Sequence, residues 1–86
     1  MTYTLEFTPQ GEKSFNALDR ETGQRVLNKL KWFINNIDSV ALVPHYGTLE
    51  GLFKLKVGDY RVIYNINTER TIITIHLVGH RKEIYR

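Results

Sequence analysis

The chain has 86 residues, no cysteine and a net charge of +3. That length is one domain, burying about two-thirds of its unfolded surface. The absence of cysteine excludes disulfides and thiolate metal sites. No apolar run approaches the roughly 20 residues of a membrane helix, and the opening MTYTLEFTPQ lacks the basic-then-apolar pattern of a secretory signal, so a cytoplasmic protein is expected. The mild positive charge permits an anionic partner without demanding one.

The chain order begins with an alternating segment. Tyr3, Leu5 and Phe7 against Thr2, Thr4 and Glu6 predict a half-buried strand over Thr2 to Phe7. Thr8-Pro9 then supplies an N-cap and a first helical residue for a short helix to about Leu18, which Gly11 weakens. Asp19 caps a second, longer helix. Its apolar residues Val26, Leu27, Leu30, Phe33, Ile34 and Ile37 form one stripe, the strongest helical period in the chain. The two helices are expected to form an antiparallel hairpin. Trp32 falls off the centre of the stripe, where it packs at the helix edge or, if exposed, offers a partner contact. Asp38 to Glu50, with Pro44 and Gly47, reads as loop, and its His45 as solvated.

Three strands close the chain, predicted over Leu52 to Val57, Tyr60 to Ile66 and Thr71 to Val78. Gly58-Asp59 is a two-residue hairpin turn, which pairs Lys56 with Arg61 and Lys54 with Ile63. Pairing Ile66 with Thr71 at the next turn puts Arg61 opposite His76 and Ile63 opposite Thr74. Lys56, Arg61 and His76 would then form one row of basic side chains, with Lys54 and Thr74 on the same face. The other face carries Phe53, Leu55, Val57, Tyr60, Val62, Tyr64, Ile73, Ile75 and Leu77 as core. Like charges directly opposite on neighbouring strands cost up to about 1 kcal/mol per pair. A solvated, solubilising strand face is one explanation of such a row and a polyanion site is another.

The tail Gly79-His80-Arg81-Lys82-Glu83-Ile84-Tyr85-Arg86 leaves the last strand and adds cations and an aromatic ring. Cations that hold phosphates beside a ring that stacks on an unpaired base are the means of single-stranded RNA recognition. Alternatively, Ile84 and Tyr85 cover the sheet edge.

The run Gly51-Leu-Phe-Lys-Leu-Lys-Val-Gly-Asp-Tyr-Arg-Val-Ile-Tyr64, followed by Val78-Gly79-His80-Arg81 and Tyr85, resembles the RelE branch of the RelE/ParE toxin superfamily. The likeness covers the whole chain. It implies an α+β fold, a small β-α-α-β-β-β domain with an antiparallel sheet and a two-helix hairpin on one face, of the RelE-like microbial RNase type. It also implies the toxin of a type II toxin–antitoxin system, a metal-independent endoribonuclease that cuts mRNA in the ribosomal A site and needs no cofactor. The implied partners are a RelB-like antitoxin, the ribosome and mRNA, with operator DNA bound by the toxin–antitoxin complex through the antitoxin. By the same resemblance Lys54, Lys56, Arg61, Arg81 and Tyr85 match functional positions. His80 stands where many relatives have lysine and becomes a candidate general acid. Lys54, Lys56, Arg61, His76, Lys82 and Arg86 would contact RNA. The net charge is modest for such a toxin. Two other functions stay open: a ParE-like gyrase inhibitor, which binds without chemistry, and a catalytically weak toxin acting mainly as antitoxin partner and co-repressor.

Overall fold

The alternating N-terminal segment forms strand β1 (Thr4–Phe7), two residues shorter than its periodicity predicts. The computed structural model describes residues 2–40, 42–44 and 51–84. Thr8 ends β1 and caps helix α1 (Pro9–Asn16), its hydroxyl accepting from the Gly11 N–H at 2.9 Å. Asp19 caps α2 (Arg20–Asn35) in the same manner, accepting from the Thr22 N–H at 3.3 Å. Hydrogen bonds from the Thr22 side chain and backbone hold the Asp19 carboxyl below its ordinary pKa.

The predicted loop after α2 contains more structure than its composition suggests. A 3₁₀ turn covers Ile37–Ser39, and Val43–Pro44 form a short strand, β2. His45 and the rest of the predicted loop through Glu50 lie outside the described residues. Strands β3 (Phe53–Val57), β4 (Tyr60–Asn67) and β5 (Ile72–His80) follow, then a short helix α3 (Arg81–Ile84) in the segment predicted only as a tail.

The sheet order is β1-β5-β4-β3-β2. The closing strands are antiparallel neighbours, as expected, but β1 joins β5 in parallel, from Thr4 opposite Ile72 to Phe7 opposite Ile75. The sheet is therefore mixed rather than wholly antiparallel. Two helices separate β1 from the rest of the sheet, and such a crossover lets strands pair in parallel.

Strand β1 ends at Phe7, opposite Ile75, so the edge of β5 beyond it would be left without strand hydrogen bonds. Helix α1 takes over this edge. The Thr8 N–H donates to the Ile75 carbonyl at 3.0 Å, and the Val78 N–H donates to the Ser14 hydroxyl at 2.9 Å. The helix comes so close that a Cβ at Gly11 would overlap the Ile75 carbonyl oxygen. Gly11, expected to weaken the helix, is the residue that lets it seat.

The apolar stripe of α2 packs on one sheet face as predicted. Val26, Leu30 and Phe33 are buried against Val62, Tyr64, Ile73 and Ile75. Each such side chain contributes about 1.5–3 kcal/mol by burial. The Phe33 and Tyr64 rings meet edge-on, 5.1 Å between centroids. Burial pushes the Tyr64 phenol up to about 12.

The β4–β5 register corrects the predicted one. Asn67 pairs with Ile72 and Ile66 with Ile73, a shift of two residues. The turn between them has the assumed length but lies one residue later: the Asn67 side-chain oxygen accepts from the Arg70 N–H at 3.0 Å, and Thr71 takes a positive φ of 53°. A bulge at Ile63/Tyr64 then adds one more residue, because Tyr64 faces Ile75 while Ile63 faces Leu77. Arg61 consequently faces Gly79, not His76, and Ile63 faces Leu77, not Thr74. Leu77, predicted in the core face, shares the face of Ile63 and Arg61. Val78, 3% exposed, fills the core place instead.

Candidate functional site

The two-residue Gly58-Asp59 turn sets the site. Gly58 has a φ of 59°, the left-handed value a tight hairpin requires. It pairs Lys56 with Arg61 and Lys54 with Ile63, as the sequence predicts. Lys56 is exposed and Lys54 half-buried.

Arg61 is different. It is 7% exposed, the one buried charged side chain among the described residues. Its Nη1 donates to the Gly58 carbonyl at 2.9 Å and to the Tyr60 carbonyl at 2.8 Å. A buried guanidinium needs such acceptors, since an unsatisfied buried charge is costly. Here the acceptors are the carbonyls of the turn itself, so Arg61 ties the hairpin end together while keeping its charge.

Arg81 reaches the same turn from the other side. Its backbone N–H donates to the Asp59 carbonyl at 2.8 Å, and its Nε lies 3.8 Å from the Asp59 carboxylate. Both side chains are largely exposed, so the pair is worth at most about 1 kcal/mol. Its effect is orientation. Arg61 and Arg81, twenty residues apart in the chain, thus converge on residues 58–60 at the end of the strand that carries both lysines.

His80 closes β5 and starts α3. Its Nδ1 accepts from the Lys82 N–H at 3.1 Å, and its ring stands edge-on to Tyr60 at 5.4 Å. With Nδ1 taken as acceptor, the neutral imidazole carries its proton on Nε2. Lys82 is exposed on α3. Ile84 folds back onto Gly79, where a Cβ would sit 3.3 Å from its Cδ1, so the tail covers part of the sheet as the structural alternative held. Gly79 itself is strand, paired with Arg61, rather than the exit from the strand.

His76 does not join this group. It occupies the bulge of β5, with Nε2 buried and without a hydrogen-bond partner among the described residues. The basic row of Lys56, Arg61 and His76 is therefore shorter than predicted, and His76 loses the neighbour on which its RNA contact was argued. Tyr85 and Arg86 lie outside the described residues.

Two residues were missed. Asp59, assigned only to the turn, is the acid that orients Arg81. Its place between Lys56 and Arg61 was the available signal. Arg25 of α2 lays its guanidinium over Gly58, with Nη2 only 2.8 Å from where a Cβ would stand. No period in the sequence predicts that contact. Among the described residues no group of His, Asp and Glu is arranged to hold a metal.

The family profile described as the ParE toxin of type II toxin–antitoxin systems matches residues 5–85. The chain belongs to this family, within the RelE/ParE superfamily. It is 29% identical over 86 residues to Toxin RelG of Mycobacterium tuberculosis, an overlap that covers all of this chain and 99% of that toxin. Among solved structures, the toxin–antitoxin complex RelBE2 of M. tuberculosis contains a chain 27% identical with a TM-score of 0.80, covering 94% of this chain and all of that one. The archaeal RelE–RelB complex of Pyrococcus horikoshii contains one 26% identical at a TM-score of 0.73, covering 94% and 97%. The RelE-like fold expected from the closing strands is thereby shown for this ParE-family chain.

Proposed function

We propose that this toxin is a metal-independent endoribonuclease that cleaves mRNA in the ribosomal A site and so halts translation in the cytoplasm. The observation that carries the reading is the convergence of Arg61 and Arg81 on the hairpin turn beside Lys54 and Lys56. Such a group of fixed positive charges suits the phosphorane formed when an RNA 2′-hydroxyl attacks its own phosphodiester.

The residues divide the reaction as follows. Lys54 or Lys56, as the neutral amine, accepts the 2′-hydroxyl proton, or, as the ammonium, lowers the cost of its transfer to water electrostatically. The 2′-oxygen bonds to phosphorus and the bond to the 5′-oxygen breaks. Arg81, exposed and oriented by Asp59, binds the phosphate oxygens. Arg61, buried and tied to the turn, holds that geometry and adds positive potential. His80, as the imidazolium with Nδ1 released from the Lys82 N–H, donates its Nε2 proton to the departing 5′-oxygen and returns to the neutral ring that accepts from that N–H. The products are a 2′,3′-cyclic phosphate and a 5′-hydroxyl. Tyr85 stacks on a base to splay the strand, and Lys82 and Arg86 add phosphate contacts. The partner that silences it is a RelB-type antitoxin, since the similar solved chains are those of RelB complexes. Through that antitoxin the complex binds operator DNA.

A second reading is favoured by one observation, the ParE description of the matching family profile: gyrase inhibition without chemistry. Expression from a tight promoter with mapping of mRNA 5′ ends separates them. New ends inside codons, abolished by Arg81→Ala, support the nuclease. Growth arrest with intact mRNA and broken DNA supports gyrase. No arrest at all supports a weak toxin acting as co-repressor.

A further inference from the structure

Gly79 leaves a gap in the basic row. Lys56 pairs with Arg61 and Arg61 with Gly79, and directly paired residues point to the same face of a sheet. A side chain at position 79 would therefore stand beside Arg61 as the third member of the row. Glycine keeps that place open, and helix α3 folds over it. A glutamate oxygen of Glu83 comes within 3.7 Å of where a Cβ on Gly79 would be. The start of α3 is pinned by two hydrogen bonds: the Arg81 N–H donates to the Asp59 carbonyl at 2.8 Å, and the Lys82 N–H donates to the His80 Nδ1 at 3.1 Å. Glu83 follows directly and takes its position from them. Its side chain is exposed, and among the described residues it makes no ion pair. Asp59, the neighbouring acid, is engaged with Arg81 instead. A carboxylate without a structural partner thus stands at the end of a row of cations, open to solvent.

That placement has a chemical meaning. A carboxylate repels the polyanion that Lys56, Arg61 and Arg81 attract, so a surface built only to bind RNA would do better without it. A surface that also removes a proton requires an acceptor. A lysine amine ordinarily holds its own proton at neutral pH, whereas a carboxylate ordinarily carries none. We infer that Glu83 is the general base of the cleavage reaction, with Lys54 and Lys56 acting as ammonium groups, an inference that rests on the nuclease reading above. The 2′-hydroxyl gives its proton to the Glu83 carboxylate as the 2′-oxygen bonds to phosphorus. The bond from phosphorus to the 5′-oxygen breaks, and that oxygen takes its proton from the His80 imidazolium. Glu83 ends protonated and His80 neutral, and exchange with water restores both. The cations of the row hold the charge that builds on the phosphoryl oxygens, so proton transfer and charge stabilisation fall to different groups.

The test is single-turnover cleavage of mRNA on halted ribosomes, with the full-length protein varied from low to saturating concentration. Glu83→Gln keeps the shape of the side chain and removes the acceptor. Its maximal rate should fall by about a hundredfold or more, while its half-saturating concentration stays the same or drops, because a repulsive charge is gone. Glu83→Ala should lose as much, and added formate should restore part of its rate where chloride at equal ionic strength does not. Both variants should melt with the parent by circular dichroism, since the side chain is exposed. A Glu83→Gln protein that cuts as fast as the parent, or faster, overturns the inference and leaves the carboxylate a solvated one. A loss confined to the half-saturating concentration overturns it too, as does a folded Glu83→Ala protein that formate does not rescue. A parent that leaves the message whole overturns the nuclease reading and this inference with it, whereas a cutting parent beside an equally fast Glu83→Gln protein overturns the inference alone.

Discussion

Two glycines inside helices should respond to alanine with opposite signs. Gly11 in α1 and Gly23 in α2 have the same propensity deficit, so helix preference alone predicts a gain of about 1 kcal/mol from either substitution. Their surroundings differ. A Cβ at Gly23 would meet only the Leu18 Cβ at 4.0 Å, which is ordinary contact, so Gly23→Ala should stabilise by about 0.5–1 kcal/mol. A Cβ at Gly11 would overlap the Ile75 carbonyl oxygen, which belongs to the central backbone of β5 and cannot swing aside. Helix α1 must lift instead. Overpacking of this kind costs about 1–3 kcal/mol. Lifting also breaks the Val78 N–H to Ser14 bond, and an unsatisfied buried N–H costs about 1–3 kcal/mol more. Set against the propensity gain, the net loss is about 1–5 kcal/mol, centred near about 3. For a domain of this size a loss of about 3 kcal/mol lowers Tm by about 12–24 °C. Urea and thermal unfolding followed by circular dichroism measure both variants. A Gly11→Ala protein as stable as the parent would refute the claim that α1 serves as the hydrogen-bonding continuation of β1.

Other expectations concern the site and the core. Asp59→Asn should change stability by less than about 0.5 kcal/mol, since the ion pair is exposed and the Arg81 backbone bond remains. It should slow mRNA cleavage by severalfold, against about a hundredfold or more for Arg81→Ala; equal losses would show that Asp59 does more than orient Arg81. His80→Asn retains an acceptor for the Lys82 N–H but has no proton to donate at the position of Nε2, so it should keep the fold while cleavage falls about a hundredfold or more. Comparable cleavage by the parent and His80→Asn would remove His80 from the chemistry. The Tyr64 phenol titrates higher folded than unfolded, from 10.0 to about 12. Its contribution is therefore complete below pH 10 and is lost as pH rises toward 12, a change of about 2.7 kcal/mol for two units. Urea midpoints across that range should fall in the parent, and Tyr64→Phe should flatten the slope.

What could be read in advance was what local chemistry determines. Thr8 and Asp19 announce both helix starts, and the α2 stripe announces the core face. Gly58-Asp59 sets the β3–β4 register, because a two-residue turn leaves no slack. The β4–β5 register was not legible. It depends on an Asn67 side-chain turn, on a threonine at positive φ and on a bulge, none of which has a strong local signature. The parallel seat of β1 on β5 was hidden for another reason: it joins residues nearly seventy positions apart, and nothing in Thr4–Phe7 names its partner. At the site, residue types were visible and their surroundings were not. Alternation put Arg61 on the polar face, which suggested solvent. In the fold its side chain turns back onto carbonyls of its own hairpin. His76 was misplaced by the same register error, and Asp59 was passed over because its turn role already accounted for it.

The most direct test of the central claim uses purified ribosomes halted with a defined codon in an empty A site. Adding the protein should cut the mRNA within that codon and leave a 2′,3′-cyclic phosphate on the upstream fragment and a 5′-hydroxyl on the downstream one, with the Arg81→Ala protein leaving the message whole. Intact mRNA with the unmodified protein, or fragments ending in a 3′-hydroxyl and a 5′-phosphate, would contradict it.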